Sequence, residues 1–269
     1  MIKEVIKIIH YVWLGGGEKS KLAKYCIRTW KRNLPDWKII EWNENNFDTK
    51  KYPFVLEAIE KGKYAFAADF IRLKVLEQYG GVYMDTDVEV IHDFSRFLHA
   101  SFVSSIQILR KVGWNNLQND VTVDGILKKT GAHVTFIGLQ VGFMYSMPHH
   151  PFLRRVITNI YNDGQMRFDS KDNPFSDMVI DYLLMNYLQK EYHMKYRDEV
   201  QRLADDILIY DSGVFSVNRT YSFCTCTIHW YEQSWCAEGE TKVQKFKRFL
   251  KSNFPALFIK LARAKFFWR

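Results

Sequence analysis

Asp85-Thr86-Asp87 places two carboxylates two residues apart at the end of an apolar run, Gly80-Gly81-Val82-Tyr83-Met84, with Val88-Glu89-Val90 behind it. The alternation predicts a strand, and residues two apart on a strand project to one face. Neighbouring carboxylates repel. Buried without partners, they would cost several kcal/mol or force one to bind a proton. A divalent cation with oxygen ligands removes that cost, and such a cation commonly brings a phosphate with it. The expected chemistry is that of a metal-bound phosphoryl compound.

Four further residues are candidates on type and position. Asp69 and Arg72 lie three apart, on one face of a predicted helix from Lys63 to Tyr79. An intrahelical ion pair is the plain reading. The helix is otherwise apolar and runs straight into the Asp-x-Asp segment, so a polar clamp on a ligand is the functional one. Trp13 stands where a strand meets Gly15-Gly16-Gly17, the kind of loop end at which ligands bind in open α/β sheets. His229 is followed by Trp230 and then by Ser234-Trp235. Cys224, Cys226, His229 and Cys236 match no common structural zinc spacing, so the cysteines read as small apolar strand residues.

The elements that must hold these residues alternate. Val5 to Trp13 predicts a strand, Lys19 to Asn33 an amphipathic helix with Leu22, Cys26 and Trp30 on one stripe, and Trp37 to Trp42 a second strand. This β-α-β order favours a parallel α/β sheet. Pro53 to Lys61 reads as a short helix, and Lys63 to Tyr79, apolar on most sides, as a buried one. Ser101 to Leu109 and Thr135 to Met147 predict strands, the second interrupted by Gly138 and Gly142. The polar stretch Trp114 to Gly131, within segment 110–134 between them, has no assignment beyond an insertion over the site. Pro151 to Asp163 and Phe175 to Lys190 predict helices; Ile207 to Tyr210, Val214 to Val217 and Cys224 to His229 predict short strands.

The 269 residues, 47% of them hydrophobic, suffice for one α/β domain with a full core. Four cysteines in such a chain make no disulfide framework. With no signal-peptide pattern after Met1, a reducing, cytoplasmic setting is the expectation. The formal charge of +8 is concentrated: residues 241–269 hold nine Lys or Arg and no acid. The rest is near neutral, which argues against a nucleic-acid partner for the body. The division expected is a catalytic domain over 1–240 and a basic tail over 241–269. In the tail, Val243, Phe246, Phe249 and Leu250 recur at helical spacing among basic residues, and Pro255 restarts a second helix. Cationic residues beside a bulky apolar face describe a helix lying on an anionic membrane surface, here at the inner face of the membrane.

Three blocks together resemble a known family: Ile8-Ile9-His10-Tyr11-Val12-Trp13-Leu14-Gly15-Gly16; Ala67-Ala68-Asp69-Phe70-Ile71-Arg72 through Gly80-Gly81-Val82-Tyr83-Met84-Asp85-Thr86-Asp87; and Ile228-His229-Trp230-Tyr231-Glu232-Gln233-Ser234-Trp235. The chain resembles glycosyltransferases whose sugar-binding region contains a D-x-D motif, among them yeast initiating mannosyltransferases and bacterial capsular-polysaccharide transferases. More distantly it is similar to the glucosyltransferase domains of clostridial toxins. The resemblance implies a GT-A fold, a Rossmann-like and mainly parallel sheet flanked by helices. It also implies retaining transfer of a hexose from a nucleotide-sugar to a saccharide or lipid-linked acceptor in surface polysaccharide synthesis.

By the same resemblance, Trp13 stacks on the base, and Asp69 and Arg72 hold hydroxyls of the donor sugar. Tyr83 lines the ribose or diphosphate, and Asp85 contacts ribose or sugar, directly or through a metal-bound water. Asp87 binds the metal, His229 or Glu232 completes that site, and Ser234 and Trp235 close over the diphosphate. Asp85, Asp69 and Arg72 are thereby the candidate catalytic residues. Oxygen ligands with a diphosphate suit Mn²⁺ or Mg²⁺. UDP is preferred to GDP as the carrier. The competing expectation is a haloacid-dehalogenase-type phosphatase with Asp85 as nucleophile and Asp205-Asp206 as its later acidic motif. About 80 residues precede the Asp-x-Asp here, whereas that motif normally opens such a domain.

Overall fold

The computed structural model describes residues 4–108, 120–129, 134, 137–169, 174–175, 179–215, 223–232 and 242–267. The first strand, β1 (Ile8–Val12), leads through α1 (Lys21–Asn33) to β2 (Lys38–Trp42). Helices α2 (Pro53–Glu60) and α3 (Tyr64–Tyr79) follow, then β3 (Gly81–Met84) and β4 (Val88–Val90). Next come β5 (Phe102–Ile108), β6 (Ile137–Leu139), β7 (Phe143–Ser146), α4 (Pro151–Tyr161) and α5 (Ile180–Tyr192). The chain continues through β8 (Gln201–Leu203), β9 (Ile207–Tyr210), α6 (Ser212–Phe215), β10 (Thr227–His229), α7 (Lys242–Asn253) and α8 (Pro255–Phe267).

The main sheet has the order β2-β1-β3-β7-β5-β9-β8, with β6 paired to β5. Neighbours β2, β1 and β3 run parallel, as do β5 and β9, while β7 and β8 run against them. The sheet is therefore mainly parallel, as the β-α-β order predicts. Alternate strand residues feed two cores. Tyr83, Phe102, Met144 and Ile209 face a core shared with α2, α3, α4 and α5. Ile9, Val82, Met84, Val103, Phe143 and Leu208 face one shared with α1 and α6.

Local signals set most of these elements. Ser20 caps α1 by accepting a hydrogen bond from the Ala23 N–H at 3.0 Å. The Leu22, Cys26 and Trp30 stripe is fully buried, as its spacing predicts. Helix α3 ends at Gly80, and Gly81 follows at φ 93°. A Cβ at Gly81 would lie 2.6 Å from the Ile8 carbonyl, so only glycine lets β3 close against β1.

Three sequence expectations need correction. Asp85-Thr86-Asp87 is a turn, not a strand: the Val88 N–H closes it on the Asp85 carbonyl at 3.0 Å. The chain there leaves the main sheet for a second one, in which β4 pairs antiparallel with β10. The strand expected over Thr135 to Met147 is two strands, β6 and β7, parted at Gln140-Val141-Gly142. Val214 and Phe215 belong to the short helix α6, because Asp198 and Asp211 accept the Ser212 and Gly213 N–H groups and wind the backbone into a turn.

The tail forms the two helices expected of it, and Pro255 begins the second. Their inner side packs on the body: Ile259, with Phe258 and Ala262, joins Leu22, Cys26, Ile228 and Trp230 in a third core. Among the described residues, no helix is long and apolar enough to cross a membrane.

Candidate metal and ligand site

Two chain crossings bring the site together. Strand β10 lies beside β4 with His229 opposite Val88, so the imidazole arrives next to Asp87. Strand β7 lies beside β3 with Phe143 opposite Met84, and the Asp85 N–H bonds the Gly142 carbonyl at 3.0 Å. Each aspartate is then held by one oxygen and presents the other. Asp85 Oδ1 accepts from the Tyr83 hydroxyl at 3.0 Å and faces Arg72 Nη2 at 3.4 Å. Asp87 Oδ2 accepts from the Glu232 N–H at 2.7 Å. The remaining oxygens meet His229: its Nε2 is 3.1 Å from Asp87 Oδ1 and 3.9 Å from Asp85 Oδ2.

These three residues offer ligand atoms within 4.8 Å of one another. Two carboxylate oxygens and an imidazole nitrogen can hold a divalent ion, the oxygens suiting Mn²⁺ or Mg²⁺. His229 Nδ1 is buried with no partner among the described residues, which leaves Nε2 as the nitrogen aimed at the cluster. Glu232 gives Asp87 its backbone N–H, but its carboxylate is engaged by the Ser20 hydroxyl at 2.8 Å. The side chain that reaches the cluster is therefore His229.

Beside this point, Arg72 is 6% exposed and ties the two acidic segments together. Its guanidinium meets Asp69 at 2.9 Å, donates to the Val141 carbonyl at 3.0 Å and lies 4.7 Å from the Tyr83 ring centre. Its Nε has no partner among the described residues. The Asp69–Arg72 pair is thus an intrahelical ion pair and a bridge to Asp85 at once.

The electrostatics are lopsided. Burial pushes Asp69 up to about 7, against the pull of Arg72. It also pushes Asp181 up to about 6. Burial works against a charged Asp87 too, but the adjacent His229 outweighs it and holds that carboxyl at about 2. His229 is raised in turn, Asp87 overcoming the burial that opposes its charge. Four carboxylates, Asp69, Asp85, Asp87 and Asp181, thus share two cationic groups. A site this rich in carboxyl groups, two of which burial holds protonated toward the neutral range, fits a cation.

Several residues here escaped the sequence reading. Asp181 sits in the first turn of α5 and accepts from Gln107 at 3.2 Å. Gln140 is fully buried, accepts the Gly142 N–H at 3.0 Å, and leaves its Nε2 without a partner among the described residues. Gly142 lets the site close: a Cβ there would lie 2.9 Å from His229 Cε1 and 3.0 Å from Asp85 Oδ2, so these side chains would have to shift. The interruption of an apolar run by Gly142 was the one available signal.

Trp13 follows β1, and because β1 and β3 are parallel with His10 opposite Tyr83, it leaves the sheet at the same edge as Asp85. It is half-buried, donates to the Gly17 carbonyl at 2.7 Å, and has the Lys19 ammonium 5.4 Å from its ring centre. Ser234 and Trp235 lie outside the described residues, as do most of segment 110–134 and the 240/241 boundary. Asp205 and Asp206 take no part: Asp205 pairs with Arg155 at 2.9 Å and Asp206 accepts from Ser101 at 2.8 Å. The later acidic motif of a phosphatase is therefore not assembled from them.

The chain is 28% identical over 193 residues to an uncharacterised glycosyltransferase of Acanthamoeba polyphaga mimivirus, covering 66% of each protein. It is 29% identical over 130 residues to a mannosyl phosphorylinositol ceramide synthase of Saccharomyces cerevisiae, covering 47% of this chain and 27% of the yeast protein. It thus spans about two thirds of the viral relative and about a quarter of the yeast one. A structure of the galactosyltransferase LgtC with donor and acceptor sugar analogues aligns over 96% of this chain and 95% of its own, at 12% identity and TM-score 0.46. Residues 20–104, which hold Asp69, Arg72, Tyr83, Asp85 and Asp87, match the family described as glycosyltransferase sugar-binding region containing DXD motif.

Proposed function

We propose that this chain is a metal-dependent retaining glycosyltransferase. It moves a hexose from a nucleotide-sugar, UDP-linked in preference to GDP-linked, to a saccharide or lipid-linked saccharide acceptor in surface polysaccharide synthesis. One observation carries the reading. Asp85, Asp87 and His229 converge on a point beside the Asp69–Arg72 pair, within and next to the region that matches the glycosyltransferase family.

In this reading Trp13 offers its ring to the base, and Tyr83 and Arg72 fix Asp85 so that its second oxygen is aimed before any ligand arrives. A divalent cation held by Asp85, Asp87 and His229 would supply Lewis-acid neutralisation of the charge gathering on the leaving diphosphate. The Arg72 Nε is the buried donor left over for a ligand oxygen. Each carboxylate of the site has an oxygen engaged, Asp69 and Asp85 by Arg72, Asp87 by Glu232 and Asp181 by Gln107, and the second oxygens of Asp85 and Asp87 face His229 at the metal point. That favours a front-face route over a covalent glycosyl-enzyme. The sugar–phosphate bond breaks with its electron pair leaving on the diphosphate. The acceptor oxygen then bonds the same carbon from the same side, and its proton passes to the departing phosphate oxygen. Trapping of a glycosyl adduct by mass spectrometry would overturn this route.

The name of the yeast relative places a mannosyl group on an inositol-bearing ceramide. It supports a lipid-borne acceptor and keeps GDP-mannose among the donors to test. The same reading has the enzyme working at the cytoplasmic surface of a membrane. The test is incubation with Mn²⁺ and a panel of UDP-glucose, UDP-galactose, UDP-N-acetylhexosamines and GDP-mannose, read by released nucleotide, beside an aryl phosphate. Metal-dependent nucleotide release from one donor is the expected result. Phosphate release from the aryl ester alone would favour the phosphatase.

A further inference from the structure

The two C-terminal helices have different business on their two sides. Toward the body, α7 sends Lys251 into the loop after β10, where its ammonium donates to the Trp230 carbonyl at 2.7 Å and the Tyr231 carbonyl at 3.1 Å. Those residues lie between His229 and Glu232, which contact the Asp87 carboxylate. From α8, Arg263 reaches the Glu89 carboxylate at 2.8 Å, and Glu89 is only 1% exposed. Tyr25 of α1 and the Trp230 indole donate to the same carboxylate, at 3.0 and 3.2 Å. Glu89 lies on β4 opposite Ile228 of β10. The helix pair therefore grips both strands of the small sheet whose ends carry Asp87 and His229.

Away from the body, the same helices expose large apolar groups. Phe246, Phe249, Phe254, Leu257 and Leu261 are each about half exposed or more. Lys245, Lys247 and Lys260 are exposed among them, and no acid occurs anywhere in 241–269. A contiguous apolar face studded with ammonium groups and free of acids is complementary to anionic lipid, not to bulk water.

We infer that the C-terminal helix pair couples the metal site to a membrane: anionic lipid on its outer face holds α7 and α8 against the body, and Lys251 and Arg263 pass that order to the segment bearing His229. The inference rests on the proposed metal-dependent reading and adds its regulation. Lys251 and Arg263 are positioning residues, acting through the loop and not on the ligand.

The experiment uses the full chain with vesicles of phosphatidylglycerol and phosphatidylcholine, or of phosphatidylcholine alone. Three quantities are read: co-sedimentation, Mn²⁺ affinity by calorimetry, and nucleotide release. Anionic vesicles alone should bind the protein and tighten Mn²⁺ severalfold. A Phe249→Ser/Leu257→Ser protein should lose vesicle binding and the tightening, with its lipid-free turnover unchanged. Lys251→Met should keep vesicle binding and weaken Mn²⁺ about tenfold, the scale of one charge-assisted hydrogen bond. Lys251→Arg, which retains a donor, should recover part of that loss; it also keeps the test alive if the methionine variant fails to fold.

Vesicle binding with unchanged Mn²⁺ affinity would overturn the coupling. So would a folded Lys251→Met protein with wild-type affinity. Absence of vesicle binding, with a dimer that dissolves on Phe249→Ser/Leu257→Ser substitution, would show instead that the face is for self-association. Failure of the underlying reading looks different: no Mn²⁺ binding or nucleotide release under any condition, with vesicle binding and its loss in the double variant still measurable.

Discussion

Gly142→Ala tests the site without touching any of its functional side chains. The added methyl would lie 2.9 Å from His229 Cε1, 3.0 Å from Asp85 Oδ2 and 3.0 Å from Gln140 Oε1, against 3.4 Å for ordinary contact. Two of these groups belong to the metal cluster, so both must retreat by about 0.5 Å, the tolerance of a preorganised site. The backbone at Gly142 is outside the left-handed region, so alanine relieves entropy of the unfolded chain, worth about 0.4–1 kcal/mol. Overpacking costs about 1–3 kcal/mol. The cost wins by about 1 kcal/mol, and the variant should fold with a melting point lowered by only several degrees. Its metal site should suffer more, since a displacement of this order costs about 10- to 100-fold in catalysis. Mn²⁺ titration and nucleotide release would be measured on both proteins. A folded Gly142→Ala protein with wild-type metal affinity and turnover would refute the assembly of Asp85, Asp87 and His229 around Gly142.

Replacing Asp87 by Asn should lower transfer by ~10²-fold or more while circular dichroism shows a native melt, because a main electrostatic contribution to the transition state is lost; near-normal transfer would count against Asp87 as a ligand. Trp13→Ala should raise the donor KM about tenfold or more and leave kcat within a few-fold, the scale of one base–aromatic stack; an unchanged KM would remove Trp13 from the donor site. The Asp69 carboxyl, at about 7 in the fold against an ordinary 3.8, holds a proton that the unfolded chain releases earlier. Its contribution to stability is therefore present at low pH and is lost as pH rises toward 7. Urea midpoints of the metal-free protein should fall over that interval and fall less steeply in Asp69→Asn; equal slopes would contradict burial as the cause that keeps the proton on Asp69. Chelation with EDTA should abolish nucleotide release, and added Mn²⁺ should restore it; release that survives chelation would exclude metal dependence.

Local pattern settled a good deal. The stripe of Leu22, Cys26 and Trp30, the apolar length of α3, the glycine pair behind it and the break at Pro255 each report on a few neighbouring residues, and each element formed where its pattern put it. The acid pair, the Asp69–Arg72 spacing and the charge of the tail are likewise properties of short segments. Periodicity does not report which segments meet. The Asp-Thr-Asp strand was a turn because its ends pair in different sheets, and a two-residue alternation looks the same in either case. Asp181 and Gln140 went unread because an isolated acid or amide carries no signature until the fold sets it in the site, and Gly142 was legible only as a break in an apolar run. Residue chemistry was thus fixed by the chain; the contact distances among His229, the aspartates and Lys251 were decided by long-range packing, which alone brings distant backbones into contact.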